Sequence, residues 1–571
     1  CWCDERRTEI EEMSCSVRDT VERGSAEPRS TLCSNGSEHA QFGTRVLLFV
    51  AVTAVTLVVI WVARRRFRQQ LLKSKKIPGP IVESLVFGHY MALRRSPILA
   101  IRQWTQQFGS VFGYYIGRMP YVAISDADII RDLFVKKAAI FSERPPFAVQ
   151  SYPLTNTLLC LAYDRWKKTR SVFSPAFSAA KLKVMTSLIN NSAIELVKVI
   201  KERSADGSTL CFFDLGQRLT LDVIARCALA AKINCIVDEN DKFFNQMRDF
   251  LHNTEHFAFQ LAHGLPSLER FLKMIARFTP THKMMNDVMG HIRGVINHRK
   301  ETGFRTNDML QLMMDAAGPE SQKITDDDVA ANVFLFLVAA YETTAITFAN
   351  ACYLLAKYPD EQERLYDEVV RVCSEADDDN NASNSDSGGG DGVDRNNNNN
   401  KDDGHDKDQT TKREDNLTIS YNQVQKLKRL EAFLLETLRL YPPIISLVSR
   451  VAGADVPAGG FTLPEGVRVQ ASVLEVHMNP QYWPEPERFR PERFIGTNAA
   501  SQPHYLPFGI GPKACLGKRF AFLELKVTFA HLLRTSRLLL TDQLTDMPAR
   551  KPINISLGPE GGMPLRVEAR T

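Results

Sequence analysis

Apolar residues recur at helical spacing through most of the chain, and the spacing predicts helices around 180–204, 215–230, 283–300, 326–357 and 421–440. Two short runs read instead as strands. The first is VFGYYIGRMPYVAIS at 111–125, and the second covers 461–473, broken by Pro464 and Gly466. Ahead of these elements, residues 46–63 (VLLFVAVTAVTLVVIWVA) are 18 positions without a charge. As a helix they would span about 27 Å, close to the hydrocarbon thickness of an endoplasmic-reticulum bilayer. Seven bases follow at once: Arg64, Arg65, Arg66, Arg68, Lys73, Lys75 and Lys76. That excess sets the C-terminal side in the cytosol, so 46–63 is expected to be a transmembrane signal anchor.

In that topology residues 1–45 form a lumenal tail, where cysteines can pair and Asn35-Gly36-Ser37 can accept a glycan. Residues 64–80 form a basic, proline-rich linker ending in Ile77-Pro78-Gly79-Pro80, a stiff turn in which neither proline continues a helix. Residues 81–571 form the main body. It is interrupted at 375–415, a stretch with 13 acids, 5 bases and no Leu, Ile or Phe. Such a stretch lacks the apolar surface to offset ordering entropy and is expected to be a disordered surface insertion.

Composition narrows the class. With 44% hydrophobic and 24% charged residues, the chain suits a packed core rather than wholesale disorder. The net charge of +5 is too small to argue for nucleic acid. Setting the acidic stretch aside leaves +13, which suits an anionic membrane surface or an acidic protein partner. Of eleven cysteines, four lie in the first 33 residues and seven are scattered without a CxxC pair, so neither a disulfide scaffold nor a structural zinc module is expected.

The most informative stretch is Phe508-Gly509-Ile510-Gly511-Pro512-Lys513-Ala514-Cys515-Leu516-Gly517. It delivers one cysteine to the start of the amphipathic run KRFAFLELKVTFAHLL. Backbone N–H groups at a helix start favour a thiolate, so the thiol pKa is expected to be lowered. Gly509, Gly511 and Gly517 are expected to clear space for something broad and flat. A second constellation is Glu436-Thr437-Leu438-Arg439 before LYPP. Glu361…Arg364 and Glu485…Arg488 share its spacing, but only Glu436 lies in an apolar helix. A third is the run at 333–360, almost wholly apolar yet carrying Glu342 with the hydroxyls of Thr343 and Thr344, groups that need partners in a core.

The cysteine loop matches FxxGxxxCxG and resembles the haem-binding signature of the cytochromes P-450. The resemblance covers about residues 77–571 apart from the insertion. It implies a mainly α fold with small β-sheets behind a single N-terminal transmembrane helix, and haem b with Cys515 as the axial thiolate of its iron. Within the family, YYIGRMPYVAISDADIIRDLFVKKAAIFSERPP and AAYETT are most similar to the animal microsomal group of drug-oxidising liver enzymes and thromboxane synthase.

Further roles follow from the resemblance. Glu436, Arg439 and Arg493 form a structural ion-pair cluster. Phe508 and the three glycines flank the haem. Trp166, Arg170, Arg450 and Lys513 contact its propionates, though Lys stands where many relatives have Arg. Ala339-Ala340-Tyr341-Glu342-Thr343 matches the oxygen-activation motif with Ala340 in place of glycine, and makes Glu342 and Thr343 the proton-relaying catalytic pair. His477 falls near a haem-adjacent family position, and a structural role fits it equally. His252, His256 and His263 lack the glutamate of a zincin and form no metal site.

No GxGxxG follows a strand, so electrons are expected from an NADPH-cytochrome P-450 reductase, with cytochrome b5 as a further donor. Arg165, Lys167, Lys168, Lys513, Lys518 and Arg519 would dock it. The expected activity is insertion of one oxygen atom from O2 into a lipophilic small molecule, at the endoplasmic-reticulum membrane with the catalytic domain cytosolic. The alternatives are a haem-thiolate isomerase acting on a lipid peroxide, and a haem-binding sensor or carrier without turnover.

Overall fold

The structure is a computed structural model and describes residues 50–64, 72, 75–146, 152–252, 269–317, 324–385, 418–553 and 555–570. These divide into two units, one within residues 1–64 and one within 65–571. The first contributes a single helix, α1 (Val50–Arg64), whose apolar side chains are exposed, Val55 and Leu57 by about 60%. Residues 1–49, Asn35 among them, and most of the basic run after Arg64 lie outside the described residues, as do His256 and His263.

The second unit is mainly helical. Its helices include α2 (Pro97–Phe108), α3 (Tyr163–Phe173), α4 (Ala179–Arg203), α5 (Phe212–Leu229), α6 (Pro280–Thr302), α7 (Asp326–Lys357), α8 (Pro359–Ser385), α9 (Lys428–Leu440) and α10 (Lys518–Thr535). The expected helices are present within a few residues, except that 421–440 is divided at Leu427. The run 111–125 folds into β1 (Val111–Ile116) and β2 (Met119–Ile124), paired antiparallel around Gly117 at φ 57°. β2 then pairs in parallel with β5 (Arg468–Ala471), and β5 antiparallel with β4 (Ser449–Val451). Near the C-terminus β6 (Ser536–Leu539) pairs with β9 (Pro564–Ala569), which also holds β3 (Leu210–Cys211). A hairpin of β7 (Arg550–Ile553) and β8 (Ser556–Pro559) packs its second strand on α7.

Helix α7 is the axis of the core. Thr325 and Asp328 close a capping box, and three aspartates in the first turn complement the helix dipole. Pro359 ends it. It is long and apolar enough to cross a membrane, but most of it is buried in the body, as a core helix is. Its closest neighbour is α5, where a Cβ on Gly216 would stand 2.8 Å from Phe348 Cδ1. Thr220 Oγ1 donates to the Tyr341 carbonyl at 2.7 Å and fixes the register of the pair.

Helix α8 runs to Ser385, so the first residues of the stretch expected to be disordered are helical. A helix already nucleated extends at little cost, and Arg371–Glu375 supports this turn with an i,i+4 pair. Residues 386–417 lie outside the described residues. Beyond them the chain is caught by Asn190 on α4. Its Oδ1 accepts from the Ile419 N–H at 3.0 Å and its Nδ2 donates to the Ile419 carbonyl at 2.9 Å. Because this clasp and the Lys426–Glu375 pair hold both ends, deleting residues 386–415 should leave haem content and thermal midpoint essentially unchanged; pyridine haemochrome and scanning calorimetry on the full chain and the deletion check it.

Candidate active site

Cys515 lies in a loop between a 3₁₀ turn, Gly511–Lys513, and the first residue of α10. Its N–H donates to the Phe508 carbonyl at 2.8 Å, which closes the loop on itself. The side chain is accessible, yet protein surrounds it closely enough that burial raises the thiol pKa. The N–H groups of Gly517 and Lys518 and the charges of Arg170 and Arg144 oppose that rise without cancelling it. The expected helix-start effect is therefore present, but desolvation is larger.

The glycines act differently from one another. Gly511, at φ 74°, stands so close to the helical turn Asp132–Lys136 that a Cβ would meet the Phe134 carbonyl oxygen at 2.2 Å, so the absence of a side chain there serves packing. Gly509 needs its φ of 70°. Gly517 alone lies beside the sulfur, where a Cβ would stand 4.0 Å from it. The Phe508 ring packs on Phe522 and carries the Lys518 ammonium 5.6 Å from its centroid.

Four cations converge on this loop. Arg170 Nη2 donates to the Ala514 carbonyl at 2.8 Å. Arg144 donates to the carbonyls of Leu447 and Lys513, at 2.8 and 3.0 Å. Arg450 donates to the Ser449 carbonyl at 2.7 Å and reaches that of Ile510 at 3.5 Å. Lys513 places its ammonium 4.5 Å from the centroid of the Trp166 ring, over which Arg170 also lies at 5.7 Å. None of the four forms an ion pair among the described residues. Burial and mutual repulsion lower Arg144 to about 10 and Lys513 to about 8, and burial with the Arg144 charge lowers Arg450 to about 9. Buried cations without counter-ions call for an anionic guest. Together with an accessible thiol backed by two N–H groups, this donor set fits haem, with iron on the sulfur and carboxylates on the cations.

Three of these cations and Trp166 were legible in the sequence; Arg144 was not. Its signal was the Pro145-Pro146 pair that follows, which favours extended backbone at Arg144.

The segment leading into the loop is tied to a buried ion pair. Arg439 grips Glu436 with two bonds of 2.7 and 2.9 Å, and both side chains are inaccessible. Glu436 Oε1 also accepts from the Arg490 N–H at 2.9 Å and from Arg493 Nε at 3.3 Å. Arg439 Nη1 donates to the His477 carbonyl. His477 in turn bonds the Arg439 carbonyl through Nδ1 at 2.9 Å and accepts the Leu506 N–H on Nε2 at 2.9 Å. These partners fix the Nδ1–H tautomer, and burial pushes the ring pKa down to about 3. His477 is thus a structural histidine. The look-alike pairs Glu361–Arg364 and Glu485–Arg488 have their arginines at the surface.

On α7, Thr343 is partly accessible beside exposed Ala339, and its hydroxyl donates back to the Ala339 carbonyl at 2.7 Å. Glu342 is 4% exposed; burial raises its carboxyl to about 7 against a hydrogen bond from Ser556 that lowers it. The basic residues expected to dock a partner are not equivalent: Arg165 is bound to Asp328 at 2.8 Å, whereas Lys167, Lys168 and Arg519 are exposed.

The arrangement is that of a haem-thiolate enzyme. Residues 78–385 and 406–565 match the family Cytochrome P450, and the chain belongs to that family. It is 28% identical to Cytochrome P450 3A13 of Mus musculus over 88% of this chain and 92% of the relative. With lithocholate 6-beta-hydroxylase of Mesocricetus auratus the identity is 27% over 90% and 96%, and with thromboxane-A synthase of Sus scrofa 30% over 86% and 91%. As a member it is a monooxygenase-type enzyme that binds haem iron through a thiolate.

Two outcomes follow from the buried acids. Glu436→Ala strands the Arg439 charge and should cost about 3–5 kcal/mol, read as a lower urea midpoint with loss of haem. For Glu342 the folded state keeps a proton that the unfolded chain releases above about pH 4.5. Stability conferred by that proton is full below this pH and is lost as pH rises through about 7. Glu342→Gln removes the dependence, so its stability relative to wild type should climb across that window by up to about 3 kcal/mol, measured as denaturant midpoints against pH.

Proposed function

We propose that the chain is a membrane-anchored monooxygenase that inserts one oxygen atom from O2 into a lipophilic small molecule, using electrons from an NADPH-dependent reductase. The observation that carries the reading is an accessible cysteine, Cys515, in a loop on which four desolvated cations without ion-pair partners among the described residues converge, in a body whose helix α7 carries Thr343 beside Glu342. When bound, haem supplies the iron at which dioxygen is activated. Cys515 holds that iron, and the N–H groups of Gly517 and Lys518 stabilise the sulfur as thiolate. Arg144, Arg170, Arg450 and Lys513 take the propionates, which removes their mutual repulsion. Trp166 gives two of them an aromatic face. Glu436, Arg439 and Arg493 act structurally, by fixing the chain that enters the cysteine loop.

Thr343 exposes a hydroxyl whose own proton is committed to Ala339, leaving its oxygen to accept from water. Glu342, with a carboxyl near neutrality, can both hold and release a proton at working pH. Lys167, Lys168 and Arg519, with Lys518 beside them, offer an acidic reductase or cytochrome b5 a basic face. Helix α1, apolar and exposed, with Arg64 at its end, supports an anchor in the endoplasmic-reticulum membrane with the body in the cytosol. One observation favours a second reading, rearrangement of a lipid peroxide without reductase: the similarity to thromboxane-A synthase.

Reduced protein with carbon monoxide should show the absorption band from which the family takes its name, and Cys515→His should abolish it; a variant that kept the band would remove Cys515 as ligand. With reductase, NADPH and a binding substrate, Thr343→Ala should divert electrons into hydrogen peroxide, and Glu342→Ala should slow turnover by about 10²-fold or more. Product per NADPH measures both. Unchanged coupling in both variants would end the proton-relay reading, and product from a peroxide without NADPH or O2 would favour the rearrangement.

A further inference from the structure

One face of α7 does two different things along its length. Asp328, Asn332, Phe336, Ala339 and Thr343 fall within about 80° of one another around the helix. The last two are accessible. The first three grip the chain that leads into and out of α3. Asp328 Oδ1 accepts from Asn156 Nδ2 at 3.0 Å and from Arg165 Nη2 at 2.8 Å, while its Oδ2 accepts from the N–H and the hydroxyl of Thr325. Asn332 is fully buried; its Oδ1 accepts the Leu158 N–H at 2.8 Å, and its Nδ2 donates to the carbonyls of Asn156 and Asp328 at 3.1 and 2.7 Å. Phe336 meets Phe177, in the 3₁₀ turn just after α3, edge to face at 5.3 Å. The chain between these points has little structure of its own. Residues 157–162 form neither helix nor strand, and Ala162, at the N-cap of α3, has no side-chain acceptor to offer. The first N–H of α3, that of Tyr163, donates instead to Glu143 Oε1 at 2.8 Å.

We infer that Asp328 and Asn332 are positioning residues for the haem cradle: they fix α3 against α7, and α3 carries Trp166 and Arg170 to the cysteine loop. On its far side α3 reaches that loop through the Arg170 bond to the Ala514 carbonyl at 2.8 Å and through the Trp166 ring, 4.5 Å from the Lys513 ammonium. It is thus a bridge with one end set by α7 and the other on the residues around Cys515. The same face of α7 goes on to present Thr343, so the contacts that place α3 also set where that hydroxyl stands relative to the cradle. Loss of the Asn332 amide leaves a buried N–H and a buried carbonyl without their partner, and nothing else in 157–162 replaces it. Arg165 acquires a different role from its neighbours. Its side chain is 55% accessible yet tied to Asp328, whereas Lys167 and Lys168 on the same helix are exposed. Arg165 therefore belongs to the strap between α3 and α7 rather than to the docking face. The inference rests on the reading of Trp166 and Arg170 as propionate partners.

The test uses haem-loaded full-length protein. It follows transfer of haem to excess apomyoglobin, with hydrogen exchange of the α3 amides as a second reading. Asn332→Ala should speed haem transfer about tenfold and lower the protection of residues 163–173. Arg165→Gln, at the accessible end of the strap, should speed transfer about threefold even where the alanine variant fails to hold haem, and Arg165→Lys should restore most of the loss. In an Arg170→Gln background the effect of Asn332→Ala on transfer should shrink to less than about twofold, because its route to the cofactor is gone. The salt dependence of reduction by the reductase should stay the same in Arg165→Gln and flatten in Lys167→Gln. Haem transfer and α3 exchange unmoved in both Asn332→Ala and Arg165→Gln would overturn the inference, as would an Arg165→Gln protein in which only the salt dependence changes. Should α3 exchange rise while haem transfer keeps the wild-type rate, in Arg170→Gln as well, the propionate reading falls and the strap stands.

Discussion

A charge taken out of water has to be matched, and Glu436 is where this chain meets that requirement most completely. Its two oxygens receive a bidentate guanidinium from Arg439, the Arg490 N–H and the Arg493 Nε, and the Glu436 and Arg439 side chains have no access to solvent. Arg439 passes the constraint on through carbonyl contacts to His477, and His477 passes it to Leu506, three residues before the glycine of the cysteine loop. The position of Cys515 is therefore inherited from an ion pair on another helix. Buried pairs of this kind add little net stability compared with apolar packing, and their value lies in the geometry they impose.

The cysteine loop inverts that logic. Arg144, Arg170, Arg450 and Lys513 are desolvated, and none meets a carboxylate among the described residues: the three arginines find carbonyl oxygens and Lys513 the face of Trp166. One region of the body thus satisfies every buried charge internally, and the neighbouring one stores an unbalanced set. Binding a dianionic cofactor there is folding free energy as well as chemistry, because the cost of burying the cations has already been met by the surrounding packing.

How far the sequence announced this depends on whether the signal was local. Helices α4, α5, α6 and α7 follow from periodicity, and the cysteine loop from ten consecutive residues. The acid on α7 stands out because an apolar run has no room for it. What escaped was non-local or a contest between opposed effects. Arg144 carries no chemistry in its own neighbourhood; it matters because Leu447 and Lys513 come to it. The sign of the Cys515 shift could not be read from its helix-start position, since burial is set by the whole body. Gly511 looked like space for a ligand and is space for the Phe134 carbonyl. The helical turns after Glu375 defied their composition, because α8 was already formed when the chain reached them.

The tautomer of His477 has a consequence for acid. Its Nε2 must stay bare to accept the Leu506 N–H, and a proton there would turn an acceptor into a second donor facing a donor. The folded ring protonates only near pH 3, whereas the unfolded chain does so near 6.5. Between those values unfolding takes up a proton, and each pH unit of acidification withdraws about 1.4 kcal/mol from the native state. The contact that acid opposes is the one that leads from His477 into the cysteine loop through Leu506.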